Sequence, residues 1–371
     1  MKKYFVFAAA ALAALTSCSK VEPEDLNGPE IGFQVANYVT QTKATGAEYT
    51  YLNFKTYAFY YTAPTETAQP FMKDETITKQ GEGAAQAWKP SRAYFWPKSG
   101  AINFISYYTT AGLSATISGD YAATISGTVA KDSEALLADE AYQYSKNVNE
   151  ITTTGTDYTG VPTLFRHTLA KLNFDFKAGK VEEADGPDHK TSWDITISSV
   201  TLTGFKSKGS AAFTADKTSK SAASLIEWTK PTGSVWTPAA DATLTTIPDT
   251  EFGKVTTAFT STTQAERLLK NYVVMPQELS DDVKMTVTYK IVTKYDGDPY
   301  AEETITTDPI KLNTFETATD VRLSSWQMNK NIIYTVTIWP NDNTITFDPG
   351  VVDYDADIKA GTDINKPGQS N

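Results

Sequence analysis

The sequence predicts an all-β protein built as two β-sandwich domains in tandem, with few short helices. Three observations carry this. Apolar and polar residues alternate at period two in one segment after another. Aromatic residues make up 12% of the chain, led by 20 Tyr beside frequent Thr, a mix that suits half-buried pleated surfaces. Gly, Pro, Asn and Asp clusters separate the alternating segments. The chain has 371 residues, and the length that remains after its N-terminal signal favours two domains over one.

The N-terminus comes first. Lys2 and Lys3 precede an apolar run from Tyr4 to Leu15, closed by Leu15-Thr16-Ser17-Cys18. Residues 1–18 therefore read as a lipoprotein signal peptide, with small residues just before the cysteine that lipoprotein signal peptidase reads. The run is too short to cross a hydrocarbon core that needs ~20 residues. Acylation at Cys18 would attach the protein to outer-membrane lipid, since several acyl chains anchor far better than one. Cys18 is the only cysteine, so disulfides and cysteine-ligated zinc are excluded. Residues 19–30, with Glu22, Pro23, Glu24 and Asp25, form a polar tether.

Strands follow. Ile31, Phe33 and Val35 alternate with Gly32, Gln34 and Ala36 and open an N-terminal domain, residues 31–160. Its first strand is 31–39 and the following loop 40–49. Tyr57-Phe59-Tyr61 and Ile102-Phe104 are further strands of this domain, and Thr152–Thr163, rich in Ser, Thr and Gly, is the boundary. The C-terminal domain, 161–371, contains clean alternation at Ala170-Leu172-Phe174-Phe176, Val283–Ile291 and Ile332–Trp339. Asp296-Gly297-Asp298-Pro299 is a turn returning Thr304–Leu312 beside the second of these. Asn341-Asp342-Asn343 turns into Ile345 and Phe347. Two stretches have helical spacing, Asp132–Asn147 and Gln264–Leu269.

Chemistry is scarce. Formal net charge is −11, and no basic stripe exists to neutralise phosphates, which argues against a nucleic-acid partner. His167 and His189 are the only histidines, too few for a histidine-rich metal site. No nucleophile elbow, His-Glu-x-x-His or phosphate-binding loop occurs. His167 reads as a structural histidine at the start of a strand and His189 as part of a solvated loop. Asp296 and Asp298 lack the remaining ligands of a calcium loop. Trp88, Tyr94, Phe95 and Trp96 could stack on a sugar, but such rings in a sandwich are more often core. The expectation is a non-enzyme with no catalytic residues, metal or cofactor.

Several stretches together resemble a known family. They are the lipobox at Cys18, Ile31-Gly32-Phe33 followed by Thr40-Gln41-Thr42-Lys43-Ala44, and Tyr57-Ala58-Phe59-Tyr60. Tyr94-Phe95-Trp96-Pro97, Phe165-Arg166-His167-Thr168-Leu169-Ala170-Lys171-Leu172 and Tyr272-Val273-Val274-Met275-Pro276-Gln277 follow in order. Trp326-Gln327-Met328-Asn329-Lys330-Asn331, Tyr334–Ile338 and Ile345-Thr346-Phe347 complete the series. In this order the chain resembles a fimbrillin-type lipoprotein subunit of the Bacteroidales, the pilins of type V pili. Two departures stand out: Lys43 occupies the place of the family's usual arginine, and Tyr354 stands near its usual tryptophan.

The resemblance implies transthyretin-like sandwiches, an outer-membrane and cell-surface location, and assembly into fimbriae that serve adhesion. It also implies a mechanism. A surface protease cuts between Lys43 and Ala44, and the first strand, with Ile31, Phe33, Val35 and Val39 on one face, leaves its groove. Burial of four such side chains is worth ~6–12 kcal/mol before entropy is deducted. The opened edge then takes a donor strand from another pilus subunit, like or unlike, joined head to tail. Within residues 343–357 the donor candidates are Ile345, Phe347, Val351, Val352 and Tyr354. The rival reading is a surface glycan-binding lipoprotein of a polysaccharide-uptake system, which would expose Trp or Tyr at a tip.

Replacing Cys18 with Ala is expected to leave a precursor that takes up no labelled fatty acid. Metabolic labelling of the two proteins checks this, and full labelling of the Ala form would contradict it.

Overall fold

Eight strands of the first half join into one sheet, in the order Arg166–His167, Ala135–Tyr142, Ala101–Thr109, Asn53–Tyr61, Gln69–Gln80, Ala87–Pro90, Phe33–Val35, Val161–Thr163. The computed structural model describes residues 30–35, 50–62, 67–81, 87–97, 100–118, 122–142, 160–163, 165–214, 236–255, 258–314, 323–340 and 344–354. The two outermost strands of this sheet are separated by only a few residues of chain, from Thr163 to Arg166, which span at most about 11 Å. The sheet must therefore curl until its ends approach, and Val161–Thr163 lies beside Ala135–Tyr142. The result is a barrel-like sheet with an inner and an outer face.

The inner face encloses Ile31, Phe33, Phe54, Met72, Ile77, Tyr94, Trp96, Ile102, Phe104, Leu136 and Phe165. The outer face, with Phe59, Ile105 and Leu137, packs on a four-stranded sheet. That sheet runs in the order Trp236–Pro238, Lys208–Thr214, Ala122–Thr128, Leu113–Ile117. The first sandwich thus takes two paired strands from far downstream, Lys208–Thr214 and Trp236–Pro238, into its second layer.

The remaining strands form a second sandwich. One layer runs Ala265–Val274, Ala170–Ala178, Lys330–Trp339, Thr344–Asp353. The other runs Glu182–Ala184, Lys190–Lys206, Lys284–Tyr295, Asp298–Thr306, with Leu244–Ile247 and Ile310–Lys311 added to it. Inward residues interdigitate at period two: Leu172, Phe174 and Phe176, with Tyr334 and Val336 of the same layer, meet Ile195, Ile197, Met285 and Val287 of the other. Phe174 stacks on Tyr334 with centroids 4.7 Å apart. The buried Tyr334 hydroxyl accepts a hydrogen bond from Trp326 Nε1 at 3.1 Å, and burial pushes its pKa up. On the far face of the first layer, Arg267 grips the buried Asp175 through Nε and Nη2, at 2.7 and 2.9 Å. The two sandwiches meet where Val273 N–H donates to Lys131 O at 3.0 Å and Val273 and Met275 enter the outer-face cluster of the first.

The all-β expectation holds, and the expected strands form within the described residues; of the first strand, 31–39, Phe33–Val35 is strand and 36–39 lie outside them. Both expected helices are strands. Ala135–Tyr142 replaces the helix proposed for Asp132–Asn147, of which 143–147 lie outside the described residues. Its Ala135 and Leu137 face the outer cluster while Leu136 and Ala138 face the inner one. A strand buried on both faces reads as a continuous apolar run, which periodicity cannot tell from a buried helix. Ala265–Val274 replaces the helix near Gln264–Leu269. Its pairing with Ala170–Ala178 slips twice, and Asn271 takes φ 50° there, so the apolar residues fall out of strict alternation. Asp296-Gly297 is the hairpin turn expected, with φ of 49° and 95°.

Phe174→Ala is expected to lower the unfolding free energy of the second sandwich by ~3–5 kcal/mol. The exposed Leu52→Ala should stay within about 0.5 kcal/mol of wild type. Guanidinium denaturation of both variants tests the contrast.

Candidate functional site

The leading segment Glu30–Val35 occupies a slot in the barrel-like sheet. Phe33–Val35 pairs parallel with Val161–Thr163, Phe33 opposite Val161. On its other side Phe33 faces Trp88 in an antiparallel pair. Ile31 N–H donates to Tyr94 O, and Val161 N–H donates to Gly32 O, each at 2.7 Å. Alternation decides which side chains go inward: Ile31 is fully buried and Phe33 is 2% exposed, while Val35 packs half-buried against the same cluster. Phe33 meets the edges of Phe54 and Phe104, with centroids 5.7 and 5.5 Å away. Burying Ile31 and Phe33 contributes ~1.5–3 kcal/mol each.

The slot has a built wall. Tyr94, whose carbonyl receives Ile31, is held through its hydroxyl, which accepts from Arg92 Nε at 2.6 Å and donates to Glu75 Oε2 at 3.0 Å. Burial pushes the Tyr94 phenol up, the Arg92 bond opposes this, and Glu75 adds to it. Lys89 Nζ reaches Glu30 Oε2 at 3.2 Å on the rim, an exposed pair of small energetic weight. Of the aromatic cluster at 88–96, Tyr94 and Trp96 are core, Trp88 packs against it, and Phe95 is 38% exposed.

The other sequence-predicted segment is Thr344–Asp353. It pairs antiparallel along its length with Lys330–Trp339 and forms the edge of its layer. Phe347 is buried and Ile345 half-buried against the second core; Val351 is exposed and Val352 half-buried. The pairing runs through Pro349-Gly350 without a register shift, so alternation from Ile345 and Phe347 puts Tyr354 on the opposite face, where it is buried. There it stacks on His167 with centroids 3.6 Å apart, and Lys171 Nζ lies 3.9 Å from its ring centre. His167 is itself buried and bonded through Nδ1 to Glu134 Oε1 at 2.9 Å. The structure keeps the two predicted segments apart, one in each sandwich. Cys18, Val39, Lys43 and Ala44 lie outside the described residues.

Sequence reasoning missed the slot's second rim, Gly160-Val161-Pro162-Thr163. It is too short for a periodic signal; its one mark is Pro162, which suits an edge strand because it has no N–H to offer. Elsewhere Tyr300 is 82% exposed beside the Asp296-Gly297 turn, with Tyr295 46% exposed and stacked on His189. Among the described residues no group of three or more His, Cys, Asp or Glu is placed to hold a metal ion.

Comparison with known proteins gives a family. A family model described as fimbrillin-like matches residues 42–353. No curated protein matches the chain. Among solved structures, a fimbrial protein from Bacteroides vulgatus is similar at 20% identity, covering 88% of this chain and 99% of its own, with a TM-score of 0.48. The tip fimbrial protein Mfa3 from Porphyromonas gingivalis, truncated at its C-terminus, is similar at 9% identity, covering 88% and 100%, with a TM-score of 0.35.

Ile31→Ala is expected to cost ~2–5 kcal/mol locally and to speed amide exchange across residues 30–35. Lys89→Ala, which removes only the exposed pair, should cost under ~1 kcal/mol. Hydrogen exchange read by mass spectrometry separates the two.

Proposed function

The chain belongs to the fimbrillin-like family, whose members are fimbrial subunits and not enzymes, and from that membership we propose how it is built into a fimbria. The precursor is acylated at Cys18 and held at the outer membrane. A surface protease cuts between Lys43 and Ala44, and the segment with Ile31, Phe33, Val35 and Val39 leaves. The C-terminal segment of a neighbouring subunit, carrying Ile345, Phe347, Val351, Val352 and Tyr354, takes its place. The finished fibre serves adhesion. The labour is divided: the first sandwich, which includes Val161–Thr163 of the slot, receives a strand, and the second supplies one.

The observation that carries this reading is the position of the leading strand. It lies between two strands, so its departure bares both neighbours' edges at once, together with the pocket that Ile31 and Phe33 fill. Two unpaired edges and an apolar pocket recruit another strand. Head-to-tail use of two different surfaces extends into a filament and not a closed ring.

Mild trypsin treatment should cut first after Lys43, and ladders resistant to SDS should follow at high protein concentration. Lys43→Gln should abolish both, as judged by N-terminal sequencing and gel electrophoresis. Ladders formed by the Gln variant after the same digestion would contradict cleavage at this residue as the trigger.

A further inference from the structure

The slot has one feature that the leading strand's own side chains do not explain. Gly160 is buried at its parallel rim, and a Cβ added there would lie 2.5 Å from the carbonyl carbon of Gly32 and 2.6 Å from Phe33 N. The nearest atoms are backbone, which cannot swing aside as a flexible side chain could. On this side the leading strand is held by main chain against main chain, at a distance only glycine permits. The same place carries the Val161 N–H to Gly32 O bond.

Two further facts describe what else could fit. The slot is polar in direction. One rim pairs parallel and the other antiparallel, and the two hydrogen-bond patterns differ, so a replacement must run the same way as Phe33–Val35. The slot also takes two large side chains at positions two apart, now Ile31 and Phe33. The pattern Ile-x-Phe occurs three times in the chain, at Ile31–Phe33, Ile102–Phe104 and Ile345–Phe347. Ile102–Phe104 lies in a strand paired on both sides. Ile345–Phe347 lies on an edge strand near the chain's end.

We infer that Gly160 is what admits a replacement strand to the slot, and that the strand matched to the slot's pocket is Ile345-Thr346-Phe347 of a second copy of this chain, with Ile345 in the place of Ile31 and Phe347 in that of Phe33. This rests on the reading that the slot takes a foreign strand. Thr346 then lies where Gly32 does, its backbone against Gly160 and its side chain away from the pocket. The Glu30–Lys89 pair has no counterpart, because Thr344 precedes Ile345, and so Lys89 is not needed for capture.

The test uses the full chain and a fluorescein-labelled peptide with the sequence Thr344–Gly350, read by fluorescence anisotropy, with amide exchange of residues 30–35 followed in parallel. Phe33→Ala loosens the leading strand and leaves Gly160 intact. It should capture the peptide at least tenfold more tightly than wild type. Gly160→Ala should loosen the leading strand as well, with exchange at least tenfold faster, yet capture no peptide. Unchanged exchange in the strand Ala122–Thr128, in the outer layer of the first sandwich, shows that the receiving domain of the variant remains folded. A second arm needs no change in the protein at that position: the peptide methylated on the backbone nitrogen of Asp348, the counterpart of Gln34 whose N–H faces the Val161 rim, should not bind Phe33→Ala, and neither should the peptide carrying Phe347→Ala. Capture by Gly160→Ala overturns the role of Gly160, and capture of the methylated peptide overturns the pairing with the Val161 rim. Equal capture of the Phe347→Ala peptide overturns the register. If Phe33→Ala captures no peptide at all, the strand-acceptor reading itself fails.

Discussion

Closure of the first sheet hangs on a strand of three residues. Phe33–Val35 is the link between Ala87–Pro90 and Val161–Thr163. Through it the sheet that begins at Arg166–His167 reaches round to within a few residues of its own start. Ile31 and Phe33 fill the interior so formed, edge-on to Phe54 and Phe104. The strand is thus both a link in the sheet and a large part of what is packed inside it. Few hydrogen bonds and few side chains hold it, so its attachment is local while the consequence of losing it is global to that sheet.

The outer face of the same sheet is buried independently. Phe59, Ile105 and Leu137 pack on the small sheet that borrows Lys208–Thr214 and Trp236–Pro238 from downstream. Trp236 Nε1 donates to Thr168 O at 2.6 Å, and Thr168 Oγ1 donates to Ala135 O at 3.0 Å, which ties that pair of strands to the strand bearing Leu136 and Leu137. A sheet supported on its outside by a second layer has a scaffold for its inner slot that does not include the leading strand. On the strand-exchange reading we propose, that separation lets the receptor stay folded while its occupant changes.

The edge strand Thr344–Asp353 has the complementary character. It pairs on one side with Lys330–Trp339, buries Phe347 at the margin of the second core, and ends on the Tyr354–His167 stack. The deeper part of that core, Phe174 on Tyr334, and the Asp175–Arg267 pair on the far face of the same layer involve the two central strands and their other neighbour. An edge element contributes less to its core than a central one and leaves more of it standing when it departs.

Strand positions and phases were largely legible in the sequence, because period-two alternation is a local consequence of one wet and one buried face. Ile31 and Phe33 could be assigned inward from their own neighbours alone, and so could Phe174 and Val287. The reading failed where locality failed: Ala135–Ala138 is buried on both faces, and Ala265–Val274 slips register at its bulges. The sequence by itself determined the fold class, the inward faces of single strands, and the family motifs. Only the tertiary structure decided that the first sheet curls on itself, that the leading strand runs parallel to Val161–Thr163, and that Gly160 sets its distance. Those pairings join segments more than a hundred residues apart. Their register depends on how whole faces fit together, and no short stretch of sequence carries it.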